Sequence, residues 1–303
     1  MARGRSREMT KGSELNEEQL RQWVEGGFTV PEGVDPEALV PELTELLGCT
    51  DSVTRERSYE ILTNWCTSGQ ICDEVMRSLG RQMASNVAVG LGEAESDTVL
   101  LRSYCALVLC APIAADHLFG LGLVEGRDAF LASEQVKRWC CCAVESLRRE
   151  RDPRAYVDGK GWAHATAHVG DALCQLTRCL HLDVTDLERM LGAIYQRLAQ
   201  PSEGVFVHDE GARLMRVVYH MMLRGDLPLE RLTSWIETFS KAPDGREWGW
   251  GGIFELEFCD RRMVNAQANV REALRSLYFM LTLGLRRRHD PKEADNPLHA
   301  FLH

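Results

Sequence analysis

The chain lacks the short motifs that mark several large classes of enzymes. It contains no GxxxxGK[ST] phosphate loop, no GxGxxG fingerprint after a strand pattern and no GxSxG turn. P-loop nucleotidases, Rossmann-fold dehydrogenases and α/β-hydrolases are therefore not indicated. Its 11 cysteines contain no CxxC pair, so the sequence does not support the usual zinc-ribbon or thioredoxin-like patterns.

A surplus of positive charge and an uninterrupted apolar run are also missing. The chain has 45 Asp and Glu residues against 35 Lys and Arg, a net charge of −10, so we expect no nucleic-acid partner. Its first residues contain no apolar segment of the kind that a secretory signal needs. The most apolar stretch, Cys105 to Val124, is interrupted by Pro112, Asp116 and His117. We interpret it as a buried helix and turn and expect no membrane span.

We interpret most of the cysteines as buried, reduced thiols, because a free cysteine behaves as a small hydrophobic residue. This usage favours a cytoplasmic location, where thiols stay reduced. The cysteines within apolar helical patterns are Cys66, Cys105, Cys110, Cys174 and Cys179.

Apolar residues recur with helical spacing from about Asn16 onward, and no long run alternates as a strand would. The expected fold class is all-α, built of stacked antiparallel helix pairs in a HEAT- or armadillo-like superhelix, with an α/α toroid as the alternative. We expect one helical domain over residues 16–289, a flexible tail over 1–15 and a loose tail over 290–303. The expected turns lie at 31–33, 90–92, 120–122, 158–161, 201–204, 224–226 and 243–245.

A weak internal repeat favours stacked helix pairs. The triplet Arg57-Ser58-Tyr59 recurs as Arg102-Ser103-Tyr104, a spacing within the roughly 40–47 residues of a HEAT or armadillo repeat. The segment from Arg275 to Tyr278 echoes it in part. In such a layout the tyrosines pack inward, and the arginines face solvent or a concave surface.

The most informative stretch is RAYVDGKGWAHATAHVGD, from Arg154 to Asp171. In a helix, His164, His168 and Asp171 at i, i+4 and i+7 share one face, and the small residues between them allow close packing. A histidine oriented by Asp171 could act as a general base, so these three are the candidate catalytic residues. A structural hydrogen-bond network is the other interpretation.

The same spacing is one by which two imidazoles can share a metal ion such as zinc. The residue after His164 is Ala165, where metalloproteases have a Glu, so a metalloprotease is not indicated. We expect no cofactor. If a metal binds, its candidate ligands are His164, His168 and Asp171.

The turn before this stretch adds candidate binding residues. Asp158 could cap the helix, and Lys160 and Trp162 are placed to contact a ligand, for example an anion at the helix start. A solvated lysine on a turn is the alternative for Lys160.

Further candidates lie on later helices. Glu210 and Arg213 lie near the start of a helix that follows His208, where Glu210 could become a polar partner of the histidines if the helices stack. The last strong helix adds Asn269, Arg275 and Tyr278 as candidate binding residues. The loop with Trp248 and Trp250 could be a pocket lid or an apolar plug.

The segment from Glu150 to Leu173 resembles a bacterial family of domains of unknown function, number 2785. The similarity rests on GWAHATAHVGD and extends to the helix near Glu210 and to NVREALRSLYFML. It covers most of the chain after about Val53, with Ala155 where the family usually has a Gly. The resemblance implies an all-helical fold and no known activity.

Two functions are therefore consistent with the sequence. The first is a small-molecule binding protein or a hydrolase-like enzyme with its site at the two histidines. The second is a helical-repeat scaffold that binds another protein, in which the same polar residues are structural.

Overall fold

The structure is a computed structural model that describes residues 15–245, 248 and 260–284. Apart from Leu15, the two predicted tails lie outside these residues, as does Trp250 of the predicted aromatic loop. Within them the chain is helical except for one short hairpin and the connecting turns. The helices are α1 (Glu17–Glu25), α2 (Pro36–Leu46), α3 (Ser52–Thr67), α4 (Asp73–Asn86), α5 (Thr98–Gly120), α6 (Ser133–Arg149), α7 (Ala165–Arg178), α8 (Val184–Ala199), α9 (Glu210–Arg224), α10 (Leu229–Glu237) and α11 (Arg261–Leu283).

The all-α prediction is confirmed, and the predicted turns fall at helix ends or between helices. Local chemistry explains several boundaries. Asp51 caps α3 by accepting from the backbone N–H of Thr54, and Asp183 caps α8 in a reciprocal capping box with Asp186. Gly225, in a left-handed conformation with φ of 77°, ends α9.

Eight of the described helices form two layers. In the inner layer, α3, α5, α7, α9 and α11 pack side by side in chain order, and α4, α6 and α8 pack against them from outside. Contacts at both ends show that α7 and α9 run in the same direction. His164 lies beside Glu210 at their starts, and Arg224 Nη1 donates to the carbonyl oxygen of Thr177 (3.0 Å) at their ends.

The long helix α5 is the core helix of this arrangement. By length and composition it could cross a membrane, but 83% of its most apolar window is buried inside the protein. It continues through Pro112 to Gly120 and is followed by the turn at Leu121. This agrees with the predicted buried helix and turn.

A small antiparallel hairpin was not predicted. β1 (Tyr156–Val157) pairs with β2 (Gly161–Trp162), so residues 158–160 form its turn and do not precede a helix directly. Asp158 therefore does not cap α7. The residue at that position is His164, with φ of 47°. Strands of two residues are too short to show the alternating pattern by which strands are recognised.

Buried Arg55 holds the hairpin in place. Its Nη2 donates to the carbonyl oxygens of Lys160 (2.5 Å) and Trp162 (3.3 Å). Gly161 lies so close to α3 that an added Cβ would be 2.7 Å from the Cβ of Ser52. These contacts fix the chain just before His164.

A buried ion-pair network fixes the segment that leads into the hairpin. Arg102 donates from Nε and Nη2 to the two carboxylate oxygens of Glu150 (2.7 and 2.9 Å), and each residue is 1% exposed. Buried Asp152 pairs with Arg154 (2.5 Å) and also accepts from the backbone N–H of Glu95. The prediction that Arg102 faces solvent or a concave surface was therefore wrong, because Glu150 supplies a buried counter-charge.

The two Arg-Ser-Tyr triplets nevertheless lie side by side. Tyr59 of α3 and Tyr104 of α5 meet edge to face, with ring centroids 6.2 Å apart. The third echo differs, because Tyr278 on α11 is 63% exposed. It was wrong to expect this tyrosine to pack inward.

We predict that Arg102→Met will lower the free energy of unfolding by about 3–5 kcal/mol, because it leaves the Glu150 carboxylate buried without its cation. Urea unfolding followed by circular dichroism measures this loss. Arg57→Met is the matched control. Arg57 pairs with Glu17, which is 66% exposed, and such surface pairs contribute about 0–1 kcal/mol. Equal losses in the two variants would contradict the assignment.

Candidate functional site

A cavity of 690 Å³ lies between α3, α5, α7 and α9. Residues of α7 line it in a continuous row with helical spacing that begins at the N-cap residue His164. His168, Asp171, Gln175 and Arg178 extend the row. The i, i+4, i+7 pattern seen in the sequence is thus the first part of a longer face. Extending it to i+11 and i+14 would have found Gln175 and Arg178, the two residues of this row that the sequence analysis missed.

Close packing brings the other helices to this row. Gly170 lies against the backbone of Arg213, where an added Cβ would be 3.4 Å from the carbonyl carbon. Arg197 of α8 donates from Nε and Nη2 to Thr166 Oγ1 (3.0 and 2.8 Å). Burial lowers the pKa of Arg197 to about 10. The small residues predicted to allow close approach do so, and contacts from α8 and α9 hold the N-terminal half of α7.

His168 is held by a hydrogen-bond chain that defines its tautomer. The Ser103 hydroxyl donates to the carbonyl oxygen of Ala163, so it must accept from Nδ1–H of His168 at 2.7 Å. Nε2 of the neutral ring then carries a lone pair. This atom has no hydrogen-bond partner among the described residues, and the ring lines the cavity. Burial, and secondarily the positive charge of Arg213, hold the pKa of His168 well below its ordinary value.

Asp171 does not orient His168, contrary to the sequence prediction. Its carboxylate forms an ion pair with Arg213, and Arg216 Nη1 lies 3.9 Å away. Ser103 does the orienting instead, because α5 packs beside the first turn of α7. Asp171 does line the same cavity as the two histidines.

His164 precedes α7 rather than lying within it. Its Nε2 donates to the carbonyl oxygen of His208 (2.7 Å) and lies 3.5 Å from Glu210 Oε1. Its ring stacks on Trp162, with centroids 5.0 Å apart and planes inclined by 23°. The left-handed backbone turns the ring toward His168, with centroids 5.5 Å apart. The two histidines therefore meet, although only one belongs to the helix.

Glu210 becomes a buried partner of His164, as expected if the two helices stack. It also accepts from the backbone N–H of His208 (2.9 Å). Burial alone would raise the pKa of Glu210, but the hydrogen bonds from His164 and from backbone N–H groups outweigh burial and lower it. Its predicted partner Arg213 pairs with Asp171 instead.

Backbone strain is concentrated at this end of the cavity. His164 (φ 47°) and Asp209 (φ 67°) are two of the four non-glycine residues with positive φ among those described. Each stands immediately before an inner helix, α7 or α9, and both line the cavity. Such conformations cost of order 1–3 kcal/mol each and are typical of functional sites.

The α3 and α5 walls of the cavity were not found by sequence reasoning. Tyr104 donates from its hydroxyl to Glu56, and the guanidinium of Arg55 lies 4.8 Å from the Tyr104 ring centroid. Tyr59 and Thr63 of α3 complete this side. The repeated Ser-Tyr dipeptide could have indicated these walls. The sequence does not show, however, that α3 and α5 pack so that both tyrosines line one cavity.

Four candidate binding residues do not contribute to this cavity. Lys160 forms an exposed ion pair with Asp97 (2.6 Å) in the hairpin turn. Asn269 is buried and accepts from the backbone N–H of Phe206 (2.7 Å), a structural contact between α11 and the loop before α9. Arg275 and Tyr278 lie on the outer side of α11, beside a separate surface depression of 390 Å³.

The metal interpretation gains no third ligand. Among the described residues, no group of three or more His, Cys, Asp or Glu side chains is arranged to hold a metal ion. Asp171, the candidate third ligand, is engaged by Arg213.

Comparison with family models places the chain. Residues 87–279 match the model for "Protein of unknown function (DUF2785)". The chain belongs to the DUF2785 family. This confirms the resemblance seen in the sequence, although the match begins at residue 87 rather than near Val53. Searches of curated proteins and of solved structures found no significant match.

The family segment contains only part of the cavity of this DUF2785 chain. It includes α5, α7 and α9 and therefore both histidines and the lining arginines. Helix α3, with Glu56, Tyr59 and Thr63, precedes it. The family description states no activity.

The low pKa of His168 predicts a specific pH dependence of stability. As pH falls below about 6.5, the unfolded chain binds a proton at this residue before the folded protein does. The contribution of His168 to stability is therefore lost with acidification and is constant above that pH. We expect the wild type to lose stability relative to His168→Asn below pH 6.5, by at most about 1.4 kcal/mol per pH unit. Urea unfolding from pH 7.5 to pH 5 tests this. Parallel curves for the two proteins would contradict it.

Proposed function

We propose that this DUF2785 protein binds a small polar molecule in the cavity between α3, α5, α7 and α9. The observation that carries the proposal is His168, a buried imidazole whose Nδ1–H is held by Ser103. Its Nε2 lone pair lies at a cavity of 690 Å³, a volume within the usual range for small-molecule sites. A ligand hydroxyl or N–H group would donate to this atom.

The site supports binding better than hydrolysis. A general base works best when its pKa lies near the working pH, and the pKa of His168 lies well below the ordinary histidine value. The ring is therefore neutral at pH 7, which makes it a reliable hydrogen-bond acceptor but a weak base. Hydrolysis with His168 as base and His164 as a second polar contact remains the catalytic alternative.

A divalent metal such as zinc is a less supported occupant. The two histidines meet one requirement of a metal site. Each donates a ring N–H to an oxygen acceptor, as metal-bound histidines usually do. Two nitrogens without a third described ligand make an incomplete site, so nothing in the proposal depends on a metal.

The two-layer arrangement of helices supports a short HEAT-like superhelix, with the cavity on the face formed by the inner helices. A toroid would require the series of inner helices to close into a ring. A cytoplasmic location is proposed on the ground that all ten described cysteines are free thiols.

A fragment screen tests the proposed function. Ligand-observed NMR with a library of small polar molecules should find compounds that bind the wild-type protein and lose binding at least about tenfold in His168→Asn. A tenfold loss corresponds to about 1.4 kcal/mol. The Asn amide can still donate to Ser103, so the substitution removes mainly the Nε2 acceptor.

His220→Asn is the matched control. His220 lies on α9 outside the cavity lining, and its pKa is lowered to about 4, mainly by burial. Its substitution should leave fragment binding unchanged. Fragments that bind the wild-type protein and His168→Asn equally would refute the proposed site, and so would a screen without hits.

A protein-binding scaffold is the second candidate, favoured by one surface. On the outer part of α11, Tyr278, Phe279, Leu281 and Leu283 are each more than half exposed. Exposed apolar patches often mark interaction sites. If this surface joins two copies of the chain, light scattering should show a dimer that Tyr278→Glu dissociates and His168→Asn does not. A monomer at all concentrations would exclude this self-association.

A further inference from the structure

Three side chains outside the cavity are connected in the manner of a catalytic triad. They are Asp116 of α5, His181 in the turn between α7 and α8, and Ser133, the first residue of α6. Nε2 of His181 lies 2.9 Å from Asp116 Oδ2, and its Nδ1 lies 3.1 Å from Ser133 Oγ. A carboxylate, an imidazole and a serine hydroxyl are thus joined in that order. Such triads occur on unrelated folds and are recognised by geometry and roles, not by sequence position.

The carboxylate of Asp116 determines which ring nitrogen of His181 carries the proton. Asp116 is 5% exposed, and its Oδ1 accepts from the backbone N–H groups of Phe130 and Leu131, each at 2.6 Å. Because a carboxylate only accepts hydrogen bonds, Oδ2 takes the Nε2–H of the neutral imidazole. The lone pair is then on Nδ1, which accepts from the hydroxyl of Ser133. Serine proteases use the two nitrogens in the opposite assignment, but either nitrogen can take the serine proton.

The start of α6 supplies donors for a negative charge that develops next to Ser133. No side chain caps this helix. The backbone N–H groups of Ser133 and Glu134 have no hydrogen-bond partner among the described residues. Free N–H groups and the helix dipole make a helix N-terminus favourable for an anion. These are the donors that the oxyanion of an acyl-transfer reaction requires.

The hydroxyl of Ser133 is accessible, and neighbouring contacts hold it beside the histidine. Ser133 is exposed and lines neither the cavity of 690 Å³ nor the depression beside α11, so a substrate reaches it from solvent. Lys137, one turn further along α6, pairs with Asp183 at 2.6 Å and joins the start of α6 to the start of α8. Leu180, directly before His181, is 86% exposed and offers an apolar surface next to the triad.

We propose that Ser133, His181 and Asp116 form a second site, which hydrolyses short-chain carboxylic esters with the acyl group against Leu180. Ser133 Oγ forms a bond to the ester carbonyl carbon while Nδ1 of His181 takes the hydroxyl proton. The carbonyl oxygen becomes an oxyanion that the N–H groups at the start of α6 stabilise. The C–O bond to the alcohol then breaks, and His181 gives its proton to the departing oxygen.

Water completes the reaction. It adds to the carbonyl carbon of the acyl-serine and loses a proton to His181. The bond from this carbon to Ser133 Oγ breaks, and Oγ takes that proton back. One ester and one water thus give one carboxylic acid and one alcohol, and no oxidant or reductant is needed.

Hydrolysis of p-nitrophenyl butanoate by the full chain tests the proposal. We expect repeated turnover, and a loss of at least about tenfold in kcat/KM in Ser133→Ala, which removes the nucleophile. The melting temperature should stay the same, because this exposed side chain caps no helix. Equal kcat/KM in Ser133→Ala and the wild type would overturn the proposal.

Ser52→Ala is the matched control. Ser52 is also the first residue of a helix, α3, but its hydroxyl contacts no histidine ring among the described residues. Its substitution should leave the rate of hydrolysis unchanged. A loss equal to that of Ser133→Ala would show that the assignment to Ser133 is wrong.

Covalent labelling distinguishes a nucleophile from an ordinary surface serine. A fluorophosphonate should attach to Ser133 Oγ with release of fluoride, and peptide mass spectrometry should locate the adduct there. The label should be absent from His181→Gln, which lacks the base. Hydrolysis by a protein that carries no label at Ser133 would assign the activity to another group and refute the site.

Asp116→Asn tests whether the carboxylate positions the base. The Asn oxygen can still accept from Phe130 and Leu131, but its amide N–H would donate to Nε2 and move the ring proton to Nδ1, facing Ser133. We expect kcat to fall at least about tenfold with little change in KM. A lower melting temperature with unchanged kcat would show a purely structural role for Asp116 and contradict the proposal.

Leu180→Ser tests the class of acyl group. We expect a higher KM for p-nitrophenyl butanoate, because the variant removes apolar surface that the acyl chain covers. The KM for p-nitrophenyl acetate, whose acyl group is two carbons shorter, should change little. An unchanged KM for the butanoate would overturn the placement of the acyl group against Leu180.

Discussion

The close packing of α7 between α5 and α9 is the constraint on which the site depends. Gly170 lets the backbone of α9 approach, and Ser103 of α5 reaches both the carbonyl oxygen of Ala163 and the ring of His168. A Cβ at position 170 would already be in van der Waals contact with α9, 3.4 Å from the carbonyl carbon of Arg213, so a side chain larger than that of alanine would have to displace α9. One contact pattern thus sets both the shape of the cavity and the tautomer of its central histidine.

Burial gives that histidine its chemical character. Away from water the imidazolium form is disfavoured, and Arg213 adds repulsion, so the ring stays neutral. Neutrality with a fixed Nδ1–H leaves one acceptor atom for the cavity.

The all-α class, the positions of the turns, and the proximity of His164 and His168 were predicted because they depend on local spacing. The contact of Glu210 with His164 was expected only if their two helices stack, which the sequence does not determine. Helical periodicity and glycine-containing turns act over a few residues. The hairpin before α7 was missed because its strands are too short to form a pattern. Lys160 and Arg275 were wrongly predicted to line the site. The position of a charged side chain near a motif, or on a helix face, does not show which surface of the folded protein it reaches.

Family membership and the row of polar residues on α7 could be read from the amino-acid sequence alone, since motif identity and helical spacing are properties of the chain. Which partner each side chain meets was decided only by tertiary structure. Asp171 binds Arg213 rather than His168, and Arg102 is buried because Glu150 meets it. The physical reason is that hydrogen bonds and ion pairs act over a few ångströms, and helix packing alone determines which distant residues come within that range.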